Sequence, residues 1–293
     1  MNKWLQSGLL FLVLIHICQD VLSQTSAENS LNQKAQLAKT LIFTNPARAS
    51  IIADSIINLS QKNKLPILEA TGWNIKGVIH AFTASPDSAY KYFLNSERLG
   101  IKAKDKLSIA KARQNQNIPL QQMGKYDLAV KQCLEALKIY AELNDLRGQT
   151  TALGDIGNIL INQKQFQDAI NYLEQAIEIS KKLKEESIRP NLYNSLGVAF
   201  INTDRPKAAL SIYKEALLLA DRNNNIKNQI SININIGEVL WTLDGKADQT
   251  LQYYSKAETL AKKYGDKLKL SLIYQNMGLV YSSLGKNDDA HYY

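Results

Sequence analysis

A small residue returns about every 40 positions along this chain of 293 residues, and this period constrains the fold more than any other feature. The intervals are 40 or 41 residues, and a threonine takes one of the places. A period of this length is typical of stacked repeats, each of which buries its apolar face against its neighbours. We call these positions the register alanines: Ala49, Ala89, Ala129, Ala169, Ala209, Thr250 and Ala290.

Glycine and proline follow the same period independently. Glycines, which we call the register glycines, lie 12 or 13 residues before five of the register alanines, and prolines lie three residues before three of them. A glycine inside a helix costs about 1 kcal/mol relative to alanine, so its repetition indicates a packing requirement. The glycines are Gly77, Gly157, Gly197, Gly237 and Gly278, and the prolines are Pro46, Pro86 and Pro206.

Each repeat contains two amphipathic segments of helical period. Between residues 153 and 180, the first segment has apolar residues at the i, i+3, i+7, i+8 spacing of one helix face. A polar turn follows at 162–165, and the second segment then has an apolar stripe of its own. Small residues on both segments allow the two helices to cross closely. Prolines before the second segment suit the first turn of a helix. Pro119 falls inside a predicted first helix, where we expect a kink or a shortened helix.

These residues resemble the tetratricopeptide repeat family. The resemblance covers nearly everything after residue 30 and implies an all-α fold, a right-handed superhelical solenoid of antiparallel helix pairs. The usual period is about 34 residues, so the longer period resembles the branch of the family that often binds peptides or protein segments. The matching residues are Trp73, Gly77, Ala89 and Phe93; Leu153, Ile156, Gly157, Leu160, Ala169, Leu173 and Ala176; Tyr193, Leu196, Gly197, Phe200, Ala209, Tyr213 and Ala216; and Tyr274, Met277, Gly278, Tyr281 and Ala290.

The amino terminus has the pattern of an export signal. A short segment with Lys3 precedes a nine-residue apolar run at 9–17, and Ser23 ends a plausible cleavage motif. We predict a signal peptide at 1–23, a degenerate helical repeat or cap at 24–69, and the repeat solenoid at 70–293. An uncleaved anchor and a lipid attached to Cys18 are the alternatives. The protein is expected to be exported, and periplasmic or membrane-associated.

The last repeat, which begins its second helix near Ala290, is incomplete within the sequence. We expect the chain to be a fragment or a truncated product, and we expect the apolar stripe with Tyr274, Met277 and Tyr281 to be exposed. An uncleaved signal, or a region beyond residue 293, would tether the protein to a membrane.

No catalytic motif stands out. Phosphate-binding loops, a nucleophile elbow and paired cysteine or histidine metal motifs are absent from the sequence. His80 and Cys133 occupy positions that carry packing residues in other repeats, so both are predicted to pack or to line a groove. We therefore predict no enzyme activity, no cofactor and no metal site.

The net charge of +8 does not indicate nucleic-acid binding. Lysines cluster at 102–106, 181–184 and 262–263, near the predicted ends of second helices, where positive charge complements the helix dipole. Nucleic-acid binding would need a continuous basic stripe with aromatic residues between. An acidic peptide or a membrane surface remains an open alternative.

The chain also contains 25 asparagines. In the family that it resembles, first helices line the concave face, and a row of amides there can donate to and accept from the backbone of an extended peptide. We predict that this row binds a peptide, and that replacing Asn158 and Asn194 together by Ala weakens binding without changing stability. Asparagine as a merely tolerated polar residue is the alternative. The row is Asn74, Asn158, Asn162, Asn191, Asn194, Asn202 and Gln275.

The sequence thus favours an exported, non-catalytic scaffold that binds a protein or peptide. A second hypothesis is the periplasmic sensor region of a longer signalling protein, either a histidine kinase or a helix-turn-helix regulator. A third is a repeat-bearing peptidase or hydrolase whose catalytic domain lies outside the sequence.

Overall fold

The computed structural model of the chain describes residues 25–83, 85–183 and 186–292. The predicted signal peptide, with Cys18, lies outside the described residues. Within them the chain forms fourteen helices and no strand, which confirms the all-α prediction. The helices are α1 (25–41), α2 (Pro46–Lys62), α3 (Pro66–Phe82), α4 (Pro86–Ala103), α5 (Lys106–Gln122), α6 (Tyr126–Glu142), α7 (Leu146–Asn162), α8 (Phe166–Lys181), α9 (Arg189–Ile201), α10 (Pro206–Arg222), α11 (Ile226–Asp244), α12 (Ala247–Tyr264), α13 (Lys267–Ser283) and α14 (Asn287–Tyr292).

Prolines and capping side chains begin many of the helices, although α2 has both and the first helices α3 and α9 also have a proline in their first turn. Pro46, Pro86 and Pro206 each begin a second helix, where the missing N–H group has no helical partner to lose. Four first helices instead begin after an Asp or Asn whose side chain accepts a hydrogen bond from the backbone N–H three residues on. These caps are Asp105 of α5, Asp145 of α7, Asn225 of α11 and Asp266 of α13.

A left-handed residue recurs in the turns between helices at intervals of 20 or 21 residues, apart from two wider gaps of 40. Positive φ angles between 50° and 77° occur at ten positions of the described chain. This conformation ends a helix sharply and is easiest for glycine, yet six of the ten carry a side chain. The same kind of turn therefore closes first and second helices alike. The positions are Lys64, Lys104, Gly124, Asn144, Lys164, Asp204, Asn224, Gly245, Gly265 and Gly285.

The register glycines allow close contact between the two helices of a repeat. A methyl group added at Gly157 would lie 2.6 Å from Leu173, and one at Gly237 would lie 2.5 Å from Tyr254. Gly77 and Gly197 likewise face aromatic rings, those of Phe93 and Tyr213. Six of the seven register positions are completely buried; Ala290, in the short α14, is half-buried. The packing requirement inferred from the sequence is thus met at these four glycines by a side chain that fills the space above each of them.

The chain divides into two compact units, Met1–Leu143 and Asn144–Tyr293. In the second unit, first helices contact one another directly, as α7 with α9, α9 with α11, and α11 with α13. No such contact joins successive second helices among the described residues. The first helices therefore form the inner layer of this unit, and their exposed side chains share one face.

Three expectations need correction. The predicted boundary between residues 69 and 70 falls inside α3, which begins at Pro66. Helix α5 is not shortened by Pro119: it has 17 residues, like α3 and α6, because the proline lies in its last turn. The stripe of α13 is less exposed than expected: Met277 is only 4% exposed, since it packs against α12, and Tyr274 and Tyr281 are half-buried, whereas Leu268 and Leu279 are exposed.

Candidate functional site

The described residues contain no group of three His, Cys, Asp or Glu side chains that could hold a metal ion. None of the helices in the described part is long and apolar enough to cross a membrane. Cys133 is fully buried. The His80 ring packs edge-on against Tyr92 at 4.9 Å, and burial, followed by the nearby charge of Lys76, lowers the pKa of His80. Both residues have the packing positions that the sequence predicted.

The predicted amide row lies on first helices or at their ends. Asn74 belongs to α3 in the first unit, and the other six belong to the second unit. Asn74 and Asn194 are half-buried, whereas the remaining five are exposed: Asn158, Asn162, Asn191, Asn202 and Gln275. Asn202 caps the end of α9, where its Nδ2 donates to the Val198 carbonyl at 2.9 Å.

The two half-buried asparagines are joined to asparagines of the next repeat. Nδ2 of Asn115 donates to Oδ1 of Asn74 at 2.9 Å, and Nδ2 of Asn235 donates to Oδ1 of Asn194 at 2.9 Å. Each pair spans 41 residues and links neighbouring first helices. Part of the row therefore joins neighbouring repeats within the inner layer itself.

Sequence reasoning missed the partners in these pairs. Asn235 and Asn276 both lie two residues before a register glycine, and Asn115 lies two residues before the equivalent position, Asn117. Where the preceding repeat offers Ile234 in place of an asparagine, Asn276 donates instead to Glu238 Oε1 at 2.9 Å. An alignment of the repeats on their glycines would have shown this second asparagine position.

A cavity of about 300 Å³ lies in the second unit, between the end of α9, the start of α10 and the middle of α11. Its polar lining includes Asn202, Asp204 and Glu238, beside Asn235 and the nearly buried Tyr213. Glu238 is an exposed residue, but partial desolvation at the cavity raises the pKa of its carboxyl, and the hydrogen bond from Asn276 and the charge of Lys269 oppose that rise. Burial, followed by the charge of Glu238, also raises the pKa of Tyr213 well above its usual value.

A second cavity, of about 210 Å³, lies in the first unit. Asn74 and Thr71 of α3 line it together with Lys39 of α1 and Lys111 of α5. Burial, followed by the like charge of Lys111, lowers the pKa of Lys39. The predicted row thus borders a basic cavity in one unit and an acidic cavity in the other.

The repeats match a known family. One tetratricopeptide repeat family model matches residues 120–182, and another matches residues 190–223. The human "SH3 domain and tetratricopeptide repeat-containing protein 2" is 22% identical over 173 residues, which cover 57% of this chain and 13% of that protein. The chain therefore contains tetratricopeptide repeats at residues 120–182 and 190–223, and it spans a small part of this relative. Its place in the branch with longer repeats stays a prediction.

Two solved structures share the fold. A signal transduction ATPase with a tetratricopeptide repeat sensor from Pyrococcus horikoshii superposes with a TM-score of 0.71 at 12% identity, over 92% of this chain and 42% of that chain. A Rap protein complexed with Competence and Sporulation Factor superposes with a TM-score of 0.62 at 13% identity, over 94% of this chain and 95% of that chain. At these identities the likeness shows the fold alone, that of an all-α helical repeat solenoid.

Proposed function

We propose that the protein is a non-catalytic scaffold that binds a peptide or an extended protein segment on the first helices of the second unit. The observation that carries the proposal is the exposure of Asn158, Asn191 and Gln275 on three helices of one inner layer. Each amide can donate to and accept from a peptide backbone at once. The fold shared with a Rap protein complexed with Competence and Sporulation Factor supports a proteinaceous ligand.

We also propose that the protein is exported and is periplasmic or membrane-associated. The apolar run at 9–17 supports this hypothesis. Protease protection in intact cells and sequencing of the mature amino terminus would test it. An amino terminus at Gln24 is expected, whereas a chain that starts at Met1 in the cytoplasm would contradict export.

Peptide binding is tested by selecting ligands from a displayed random peptide library with the full chain. The variant N158A/N191A is expected to lose most of the capture. The matched control is N171A/Q175A, which removes two exposed amides from the second helix α8. Both variants should keep the helical circular dichroism of the wild type. Equal capture by all three proteins would contradict the proposed face.

A second candidate is the sensor region of a longer signalling protein, of the histidine kinase or helix-turn-helix regulator type. The observation that favours it is the superposition, over 92% of this chain, on a signal transduction protein with a tetratricopeptide repeat sensor. The coding sequence beyond residue 293 tests it. A membrane-spanning segment followed by an output domain supports the sensor, and a stop codon directly after residue 293 contradicts it.

A further inference from the structure

We infer that the cavity between α9, α10 and α11 is a subsite for a lysine side chain of the bound peptide, which Glu238 and Asp204 hold by its ammonium group. The inference rests on the proposed function, because the cavity belongs to the same inner layer as the exposed amides. It adds the chemical class of one side chain that the ligand carries.

The walls of the cavity fit an aliphatic stem. Val198 and Ile201 of α9, Pro206 of α10 and Val239 of α11 supply apolar surface. A lysine buries its four methylene groups against such surfaces while its charged end reaches a polar partner. A volume of about 300 Å³ is at the lower limit for a ligand pocket, so the cavity suits one side chain rather than a cofactor.

The polar side of the cavity lacks a cation. Among the described residues, Glu238 accepts one hydrogen bond, from Asn276 to Oε1, and no lysine or arginine forms an ion pair with it. Asp204 likewise has no ion pair in the described part of the chain, although the protein carries a net charge of +8. The charge of Lys269 of α13 opposes the rise in the pKa of Glu238 that partial desolvation causes. Two carboxylates without an ion pair in the described part of the chain therefore line the same cavity.

A cation in this cavity would interact favourably with Glu238. The residue is exposed, but the cavity partly desolvates its carboxyl and raises its pKa, which disfavours the charged form. A ligand ammonium would offset that cost, because a charge-assisted hydrogen bond in a partly desolvated cavity is stronger than one in water. The Tyr213 side chain, which is 2% exposed, also lines the cavity. The two carboxylates and the apolar walls together favour an alkylammonium over an anion.

The test is an NMR titration of the isotopically labelled full chain with three small probes. Nα-acetyl-lysine methylamide carries the stem and the charge, Nα-acetyl-norleucine methylamide carries the stem alone, and glycinamide carries an ammonium group without a stem. The lysine probe is expected to shift the amide signals of Asn235, Glu238 and Thr242 at lower concentration than either of the others. Equal binding of norleucine, tighter binding of glycinamide, or no shift with lysine would overturn the inference.

Substitutions in the cavity test whether the lysine probe binds there. Glu238→Gln is expected to weaken binding of the lysine probe about ten-fold or more, as for a lost charged hydrogen bond. The matched control Glu215→Gln, on the exposed surface of α10, is expected to bind as the wild type does. Asp204→Asn serves as a second variant if Glu238→Gln fails to fold, and unchanged binding in the folded variant would contradict the subsite.

The two hypotheses can fail separately. The subsite would be rejected and the scaffold kept if the selected peptides contain no lysine, their binding still depends on Asn158 and Asn191, and the lysine probe does not bind. Loss of both would reject the scaffold as well.

Discussion

Asn235 Nδ2 donates a hydrogen bond of 2.9 Å to Oδ1 of Asn194, and Asn115 makes the same bond with Asn74 in the other compact unit. The two pairs occupy equivalent places in their repeats and have the same separation of 41 residues. Amide side chains on the first helices therefore have two uses. Half-buried ones join neighbouring repeats, and we propose that the exposed Asn158, Asn191 and Gln275 contact a ligand.

Replacing Asn194 by Ala is expected to lower the free energy of unfolding by about 1 kcal/mol, because the half-buried amide of Asn235 loses its acceptor. Urea unfolding followed by circular dichroism measures this change. The exposed Asn158→Ala variant should differ from the wild type by less than about 0.5 kcal/mol. This corrects the expectation that Asn158 and Asn194 can be replaced together without loss of stability. A double-mutant cycle between Asn194 and Asn235 with no coupling would show that the hydrogen bond contributes nothing.

Replacing Gly197 by Ala is expected to destabilise the protein by about 1–3 kcal/mol, because the new methyl group meets the ring of Tyr213. Alanine's better helix propensity offsets part of this, about 1 kcal/mol. The informative measurement is the melting temperature of the single variants and of G197A/Y213L. Leucine at 213 repeats the arrangement of Gly157 and Leu173, so the double variant should be more stable than the sum of the two changes predicts. Strict additivity would contradict this packing role of the register glycine.

Replacing Glu238 by Gln is expected to raise the melting temperature slightly at pH 7.5, since solvent screens the charge of this exposed residue, and to leave it unchanged near pH 4. Because the folded pKa of Glu238 is raised above 4.5, the folded state binds its proton more tightly than the unfolded state does. The contribution of Glu238 to the free energy of unfolding is therefore fully present at pH values below about 4.5 and decreases as the pH rises through the raised pKa of its carboxyl. Glutamine keeps the acceptor for Asn276 and avoids the charge. A lower melting temperature for Glu238→Gln at pH 7.5, with Glu215→Gln unchanged, would show that the ionised carboxylate is stabilising.

The period and the helix pairs could be predicted because they depend on residue size at fixed positions. Gly157 admits Leu173, and Ala169 is fully buried, so both were constrained by contact between helices. The left-handed turns could not be found from glycine alone, because Lys64 and Lys164 adopt the same conformation as Gly124. The free energy that a side chain costs in this left-handed conformation is small compared with the packing energy of the helices on either side of the turn.

The candidate site was less accessible to sequence reasoning. Asn74 is paired across repeats and Asn158 is exposed, because Asn74 lies three residues before its register glycine whereas Asn158 lies one residue after its own. The partner also depends on the neighbouring first helix: Asn115 meets Asn74, whereas Asn276, with Ile234 at the corresponding place, donates to Glu238. The acidic cavity combines residues from three helices, and no spacing along one helix reveals it.

The central claim is that the ligand binds along the first helices of the second unit. It is tested most directly by photo-crosslinking a library-selected peptide to the full chain and locating the attachment points by mass spectrometry. Attachment to α7, α9, α11 and α13, near Asn158, Asn191 and Gln275, is predicted. Attachment confined to the outer surfaces of α8, α10 and α12 would contradict it.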